Sequence, residues 1–371
     1  MSHRLSDYLD GRDNNFNLIR LIAASLVILS HSYPLTGSYE QPLTKFGIDY
    51  GYLAVDAFFI LSGFLVTKSL FSKNELGEFV WDRALRIYPG LIVSVLFTVF
   101  VIGVASTRLP VLTYLSRVEV YQYLIDNAIM LRPFHYLLPG VFETNTFRAV
   151  INGSLWTLPW ELRMYAILGI LGFLAYCRPR LLSRHRLASI LVGLCIAATI
   201  AYLATHYLLP ARKNTGVRFM SLFFMGSVFF VYAGRIVLSL KALLPIAAAF
   251  MLGFIYSRFF FFVYVICFGY FVMYLAYVPG GTIRRFNRLG DYSYGTYIYA
   301  FPLQQSITAV RPDIGILTLF AVSLAVTLPL AIASWHLLEK RMLARKADYH
   351  RLKFFMSGIG RSMGFRFGID K

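Results

Sequence analysis

Arg20 and His31 stand eleven residues apart in one apolar stretch, FNLIRLIAASLVILSHSYP (16–34), that would ordinarily hold neither residue type. At roughly 100° per residue they lie about 20° apart around a helix, and at 1.5 Å per residue about 16 Å apart along it. One face of one helix therefore carries a guanidinium near one end and an imidazole near the other. Ionisable groups in a membrane span are costly and usually face a cavity or a partner, so the pair reads as functional. A guanidinium can hold an anion, and an imidazole can take a proton or act as a nucleophile.

Other groups can join them. The segment GYLAVDAFFILSGFLVTKSL places Asp56 one to two turns below the outer surface, at the depth of His31 in a neighbouring antiparallel helix. There it would orient or charge the imidazole, unless it only caps the entry of its own helix. NGSLWTLPWELRMY brings Glu161 and Arg163 about two turns in from the same side. Residues two apart on a helix do not face each other, which argues against a simple Glu161–Arg163 pair. His31, Asp56 and Glu161 are thus the expected acid/base layer.

On the inner side, FVWDRALRIYPG holds Arg83 and Arg86, which are neighbours on a helix at that spacing. Planar guanidiniums suit phosphate, although the same pair would also serve as a charge cluster against lipid headgroups. With Arg20 one turn inside that face, three arginines can converge on one polyphosphate. Trp156 and Tyr165, and Ser293 and Tyr294 in LGDYSYGTYIYAFPLQQS, are candidate contacts to an acceptor; interface anchoring is the alternative for the aromatics. Gln304 and Gln305 in the latter segment need partners if they are buried.

The elements that must position these groups follow from composition. Of 371 residues, 58% are hydrophobic, 17% aromatic and 15% charged, which excludes an ordinary soluble domain and points to an all-α, polytopic membrane protein. About 20 apolar residues cross the hydrocarbon core. Ten segments are expected to do so: 16–34, 51–72, 89–106, 153–177, 186–209, 217–234, 238–256, 258–277, 290–310 and 314–338. The tight joins near Gly234–Leu238 and Ser257 are where two of these could instead be one broken helix. With both termini cytoplasmic, 24 of the 36 Lys and Arg residues fall on inner segments, ten on outer ones, and Arg20 and Arg163 within helices. The formal charge of +18 then reflects topology and anionic lipid, with no nucleic-acid partner. Cys177, Cys195 and Cys267 sit singly, so neither a disulfide framework nor a metal cluster is expected. Residues 1–345 are expected to form the membrane domain and 346–371 a basic cytoplasmic tail that lies on the inner leaflet or is disordered; the first helix is retained rather than cleaved. The long outer loop 107–152 is long enough to carry function.

An anion held at the cytoplasmic face by Arg20, Arg83 and Arg86, with a base about 16 Å deeper at His31, suits a donor with a charged head and a long arm, as acyl-CoA has. His31 would deprotonate an acceptor hydroxyl or carry the acyl group itself. A transporter or flippase whose intramembrane charges bind cargo is the rival reading.

Several motifs together resemble the acyltransferase family 3, bacterial integral-membrane O-acyltransferases. They are the Arg-x10-His helix, VDAFFILSGFLVT (55–67), RALRIYP (83–89), NGSLWTLPWELRMY (152–165), LGDYSYGTYIYAFP (289–302) and SWHLLEKR (334–341). The resemblance implies transfer of an acyl group, most often acetyl, from cytoplasmic acyl-CoA to a hydroxyl of a surface glycan such as O-antigen, exopolysaccharide or a lipid-linked sugar. It also implies that Arg20, His31, Arg83 and Arg86 matter for activity. Ala300 stands where many relatives carry a histidine before Phe-Pro, and the chain has no room for the hydrolase-like domain that some relatives append.

Overall fold

The computed structural model describes all residues except 1, 2, 10, 12, 74, 131–133, 179, 181, 210–214, 352 and 355–371. The Gly-rich, aromatic end expected of the basic tail lies outside the described residues.

Helices α1 (Phe16–Leu35), α2 (Tyr50–Ser72) and α3 (Leu76–Phe97) open the chain. α3 begins well before the expected position 89, because the polar segment around Arg83 and Arg86 is itself helical. Buried Asp82 there pairs with Lys73 at 3.5 Å and Lys346 at 3.8 Å, so its charges point inward instead of marking a loop. A π turn, Thr98–Gly103, carries the helix on to Ser106. The loop 107–152 contains α4 (Val111–Ser116) and α5 (Val118–Ile129).

Next come α6 (Leu158–Cys177), α7 (Arg184–Leu208), α8 (Thr215–Val231), α9 (Leu240–Ile255) and α10 (Ser257–Tyr277). Both tight joins separate distinct helices. At the first, Val237–Leu238 pairs antiparallel with His3–Arg4 and ties down the N-terminus. At the second, α9 folds back on α10, with Gly253 against the backbone of Phe260.

α11 (Ser293–Val310) and α12 (Ile316–Ser334) follow, and a second π turn, Trp335–Glu339, leads into α13 (Lys340–Ala344). Each of the ten expected segments therefore contains a helix. Among the described residues, seven helices are long and apolar enough to cross a membrane, which makes this a multi-pass membrane protein. α8 and α9 are apolar but shorter. α11 has tyrosines and two glutamines along an almost wholly buried length, so neighbouring helices rather than lipid surround it.

Small residues set the closest helix contact. A side chain at Gly63 would meet the Phe223 carbonyl at 1.9 Å, and one at Gly226 would meet the Ile60 carbonyl at 2.0 Å, so α2 and α8 touch backbone to backbone. On the far side of the bundle, both glutamines of α11 have partners. Gln304 donates to Ile28 O at 2.9 Å and Ser32 Oγ at 3.0 Å, fixing α11 to α1. Gln305 donates to the carbonyls of Phe147 and Val150 and accepts from Asn145 at 2.7 Å, which straps the long loop onto α11.

Candidate active site

α1, α2, α3, α6, α11 and the C-terminal helical end enclose a cavity of about 550 Å³. Arg20, Arg83 and Arg86, expected from sequence to converge, all line it. Lys68 of α2 and Lys346 from the C-terminal end bring its basic side chains to five, against Asp82, Glu161 and Asp291.

Asp291 organises the cluster. Arg20 Nη1 donates to its Oδ2 at 2.6 Å, and Arg86 donates to the same oxygen. The other carboxylate oxygen accepts from the hydroxyl and backbone N–H of Ser293, fixing the acid at the start of α11. Arg83 is placed differently. Its Nη2 lies 3.5 Å from Ser69 Oγ, its Nε is buried without a partner, and it has no carboxylate partner among the described residues. The rings of Phe79 and Tyr165 flank its guanidinium at about 6 Å.

Glu161 also faces this cavity, in contrast to the expected outer layer with His31. It accepts from Ser62 Oγ at 2.8 Å and from the Tyr165 hydroxyl, so α6 meets α2 halfway along its length. Tyr165, Ser293 and Tyr294 line the cavity as well. Trp156 does not; it packs on Phe219 of α8, with ring centroids 5.7 Å apart. Arg163 points away from Glu161, over the ring of Trp160.

Asp56 does not meet His31. It is fully buried and accepts from Arg218 Nε at 2.7 Å and from the Tyr264 hydroxyl at 2.6 Å. The cause is its position on α2: Asp56, Ile60 and Gly63 form one stripe at helical spacing, and that stripe is the one packed against α8. Cavity-lining Ser62 belongs to another face of α2. Arg218, assigned to an outer segment by the charge count, is instead a buried residue of α8.

His31 lies near the far end of α1, outside the cavity lining, with its ring edge-on to Phe301 at 5.0 Å. Its Nδ1 is buried without a hydrogen-bond partner among the described residues. Among the described residues, no group of three or more His, Cys, Asp or Glu side chains could hold a metal ion.

Five participants were not assigned from sequence. Lys68, Asp82 and Lys346 line the cavity, and Asp291 was noted only as part of a tyrosine-rich segment. Glu339, in the second π turn, is buried; one oxygen accepts from Ser334 at 2.8 Å and the other has no partner among the described residues. A buried arginine needs a counter-charge at its own depth, and that requirement alone would have pointed from Arg20 to Asp291.

A bundle of apolar helices around a basic, carboxylate-braced cavity defines a multi-pass membrane protein equipped to hold a charged ligand. The chain belongs to the acyltransferase 3 family: a family model described as an acyltransferase domain matches residues 13–336. It is thus an enzyme of acyl transfer. It is similar to an O-acetyl transferase of Shigella phage Sf6, 28% identical over 360 residues that cover 91% of this chain and 98% of that one. It is also similar to nodulation protein 10 of Rhizobium leguminosarum bv. viciae, 30% identical over 178 residues, 45% of this chain and 46% of that protein. No solved structure matches the chain.

Proposed function

We propose that the protein moves an acyl group, acetyl in the first instance, from cytoplasmic acyl-CoA to a hydroxyl of a glycan or lipid-linked sugar at the bacterial inner membrane, with both termini cytoplasmic. The observation that carries this reading is the five-cation cavity at the Arg20 end of α1, with His31 at the opposite end of the same helix. The likeness to a phage O-acetyl transferase along nearly its whole length supports an acetyl group and an oxygen acceptor.

In this reading Arg83, which has no carboxylate partner among the described residues, meets the phosphates of the donor, and Arg20 and Arg86 flank them from their shared Asp291. The acyl arm runs along α1 toward His31. His31 takes the proton of the acceptor hydroxyl as the oxygen attacks the thioester carbonyl; the C–O bond forms, the C–S bond breaks, and CoA leaves as the thiolate that the proton then neutralises. Attack by the imidazole itself, giving a transient acyl-His, uses the same residues. Glu161, with Ser62 and Tyr165, supplies hydrogen-bonding groups along the arm, together with Ser293 and Tyr294. Asp56 is left to pair α2 with α8.

The test is His31→Ala in a strain whose own copy is deleted, with surface glycan examined by mass spectrometry. Membrane-inserted protein, intact glycan and loss of one ester-linked acyl group are expected. Full acylation by the variant would overturn the mechanism, and loss of the glycan itself on deletion would indicate transport.

A further inference from the structure

The cavity stops short of His31. Along α11 its lining ends at Tyr297. α1 and α11 run parallel, since Arg20 meets Asp291 and Ile28 and Ser32 meet Gln304. His31 therefore lies beside the part of α11 that follows Tyr297. Two rings on one face of α11, Tyr297 and Phe301, stand one helical turn apart here.

Tyr297 closes the cavity end. Its hydroxyl is 2.6 Å from Thr157 Oγ1 and donates to Ser154 O at 2.7 Å, and its ring stands edge-on to Phe58 at 5.9 Å. Phe301 comes next, against His31 on one side and Gly153 on the other. Two polar atoms next to these rings, Ser154 Oγ and His31 Nδ1, are buried without partners among the described residues. Buried polar atoms are rarely left so, and each one here belongs to a residue that touches one of these rings.

We propose that Tyr297 is the gate between the donor cavity and His31. Its hydroxyl is latched to Thr157 and the Ser154 carbonyl, and its ring blocks the passage. Turning the ring away opens a path past Ser154 and Phe301 to the imidazole. The space that the side chain vacates then sets how large an acyl group can pass. This inference rests on the donor-site reading of the cavity, but its main test does not depend on catalysis.

That test uses His31→Cys in a chain whose Cys177, Cys195 and Cys267 are replaced by serine. An anionic, membrane-impermeant methanethiosulfonate reagent is supplied to sealed vesicles from the side on which Lys346 lies. The introduced thiol should react slowly behind Tyr297. It should react faster in Tyr297→Ala, about tenfold faster in Thr157→Val, which removes one hydrogen bond of ordinary net strength and keeps the shape, and faster still in Tyr297→Phe, which removes both hydrogen bonds of the latch. Equal rates in all four proteins, or fast labelling behind intact Tyr297, would overturn the gate. As a second measurement, Tyr297→Ala in the His31 enzyme should raise the ratio of butyryl to acetyl transfer; an unchanged ratio would overturn the selectivity. The donor-site reading fails separately, if His31→Ala retains acyl transfer.

Discussion

Arg20 and Asp291, 271 positions apart in the chain, meet through a 2.6 Å charge-assisted hydrogen bond, and Arg86 donates to the same carboxylate oxygen. One carboxylate thereby holds together α1, α3 and the start of α11. It also leaves two guanidiniums with one negative charge between them, so the cluster is braced without being neutralised.

Replacing Asp291 by Asn should be costly on both counts. Removing one partner of a buried ion pair leaves an uncompensated charge and destabilises by about 3–5 kcal/mol. A lowered melting temperature in detergent and loss of acyl transfer are expected, with Asp291→Glu recovering part of each. A variant as heat-stable as the parent would show that the carboxylate is not the brace.

Arg83 should behave in the opposite way. It has no carboxylate partner among the described residues to strand, so Arg83→Gln should leave the melting temperature nearly unchanged. A hydrogen bond to a charged group contributes about 1.5–3 kcal/mol, so the donor KM should rise roughly ten- to a hundredfold. An unchanged KM would remove Arg83 from the donor site.

The Asp56–Arg218 pair separates structure from chemistry. Asp56→Ala or Arg218→Ala alone should destabilise by about 3–5 kcal/mol, since each leaves a buried charge. The double variant Asp56→Leu, Arg218→Met replaces the pair with apolar groups and should regain both stability and acyl transfer. A stable but inactive double variant would restore Asp56 to the catalytic group.

Gly63→Ala tests the contact between α2 and α8. A new methyl carbon 1.9 Å from the Phe223 carbonyl must push two backbones apart, at a cost of about 3 kcal/mol, the upper end for overpacking. Gly193→Ala, where nothing lies within 4 Å, is the control and should have no such effect. Equal melting temperatures for the two variants would contradict the packing.

The helices were legible in the sequence because a membrane imposes one strong rule, about 20 apolar residues, on every crossing. The three arginines were legible because charge in such a background stands out. What helical spacing could not reveal was rotation about each axis. Asp56 and Ser62 sit at plausible depths on the same helix, yet one faces α8 and the other the cavity. Depth placed Asp56 and Glu161 beside His31; rotation turned Asp56 to Arg218, and α6 meets α2 deeper than expected, which brings Glu161 to Ser62. Asp291 was missed for another reason, that its partners lie on helices distant in sequence. The early start of α3 was hidden because inward-facing charges look like the end of a span until their partners are known.

The second π turn, Trp335–Glu339, shapes the cavity in a way that depends on length more than on side chains. Each residue advances an α-helix by about 100°, so deleting one residue there would swing everything beyond it by more than a quarter turn. Trp335 would keep its place while Leu343 and Lys346 left the cavity wall, and Asp82 would lose a cation. The extra residue sets the phase between the membrane bundle and its C-terminal end, and the chain's tolerance for insertions and deletions should be lowest at that turn.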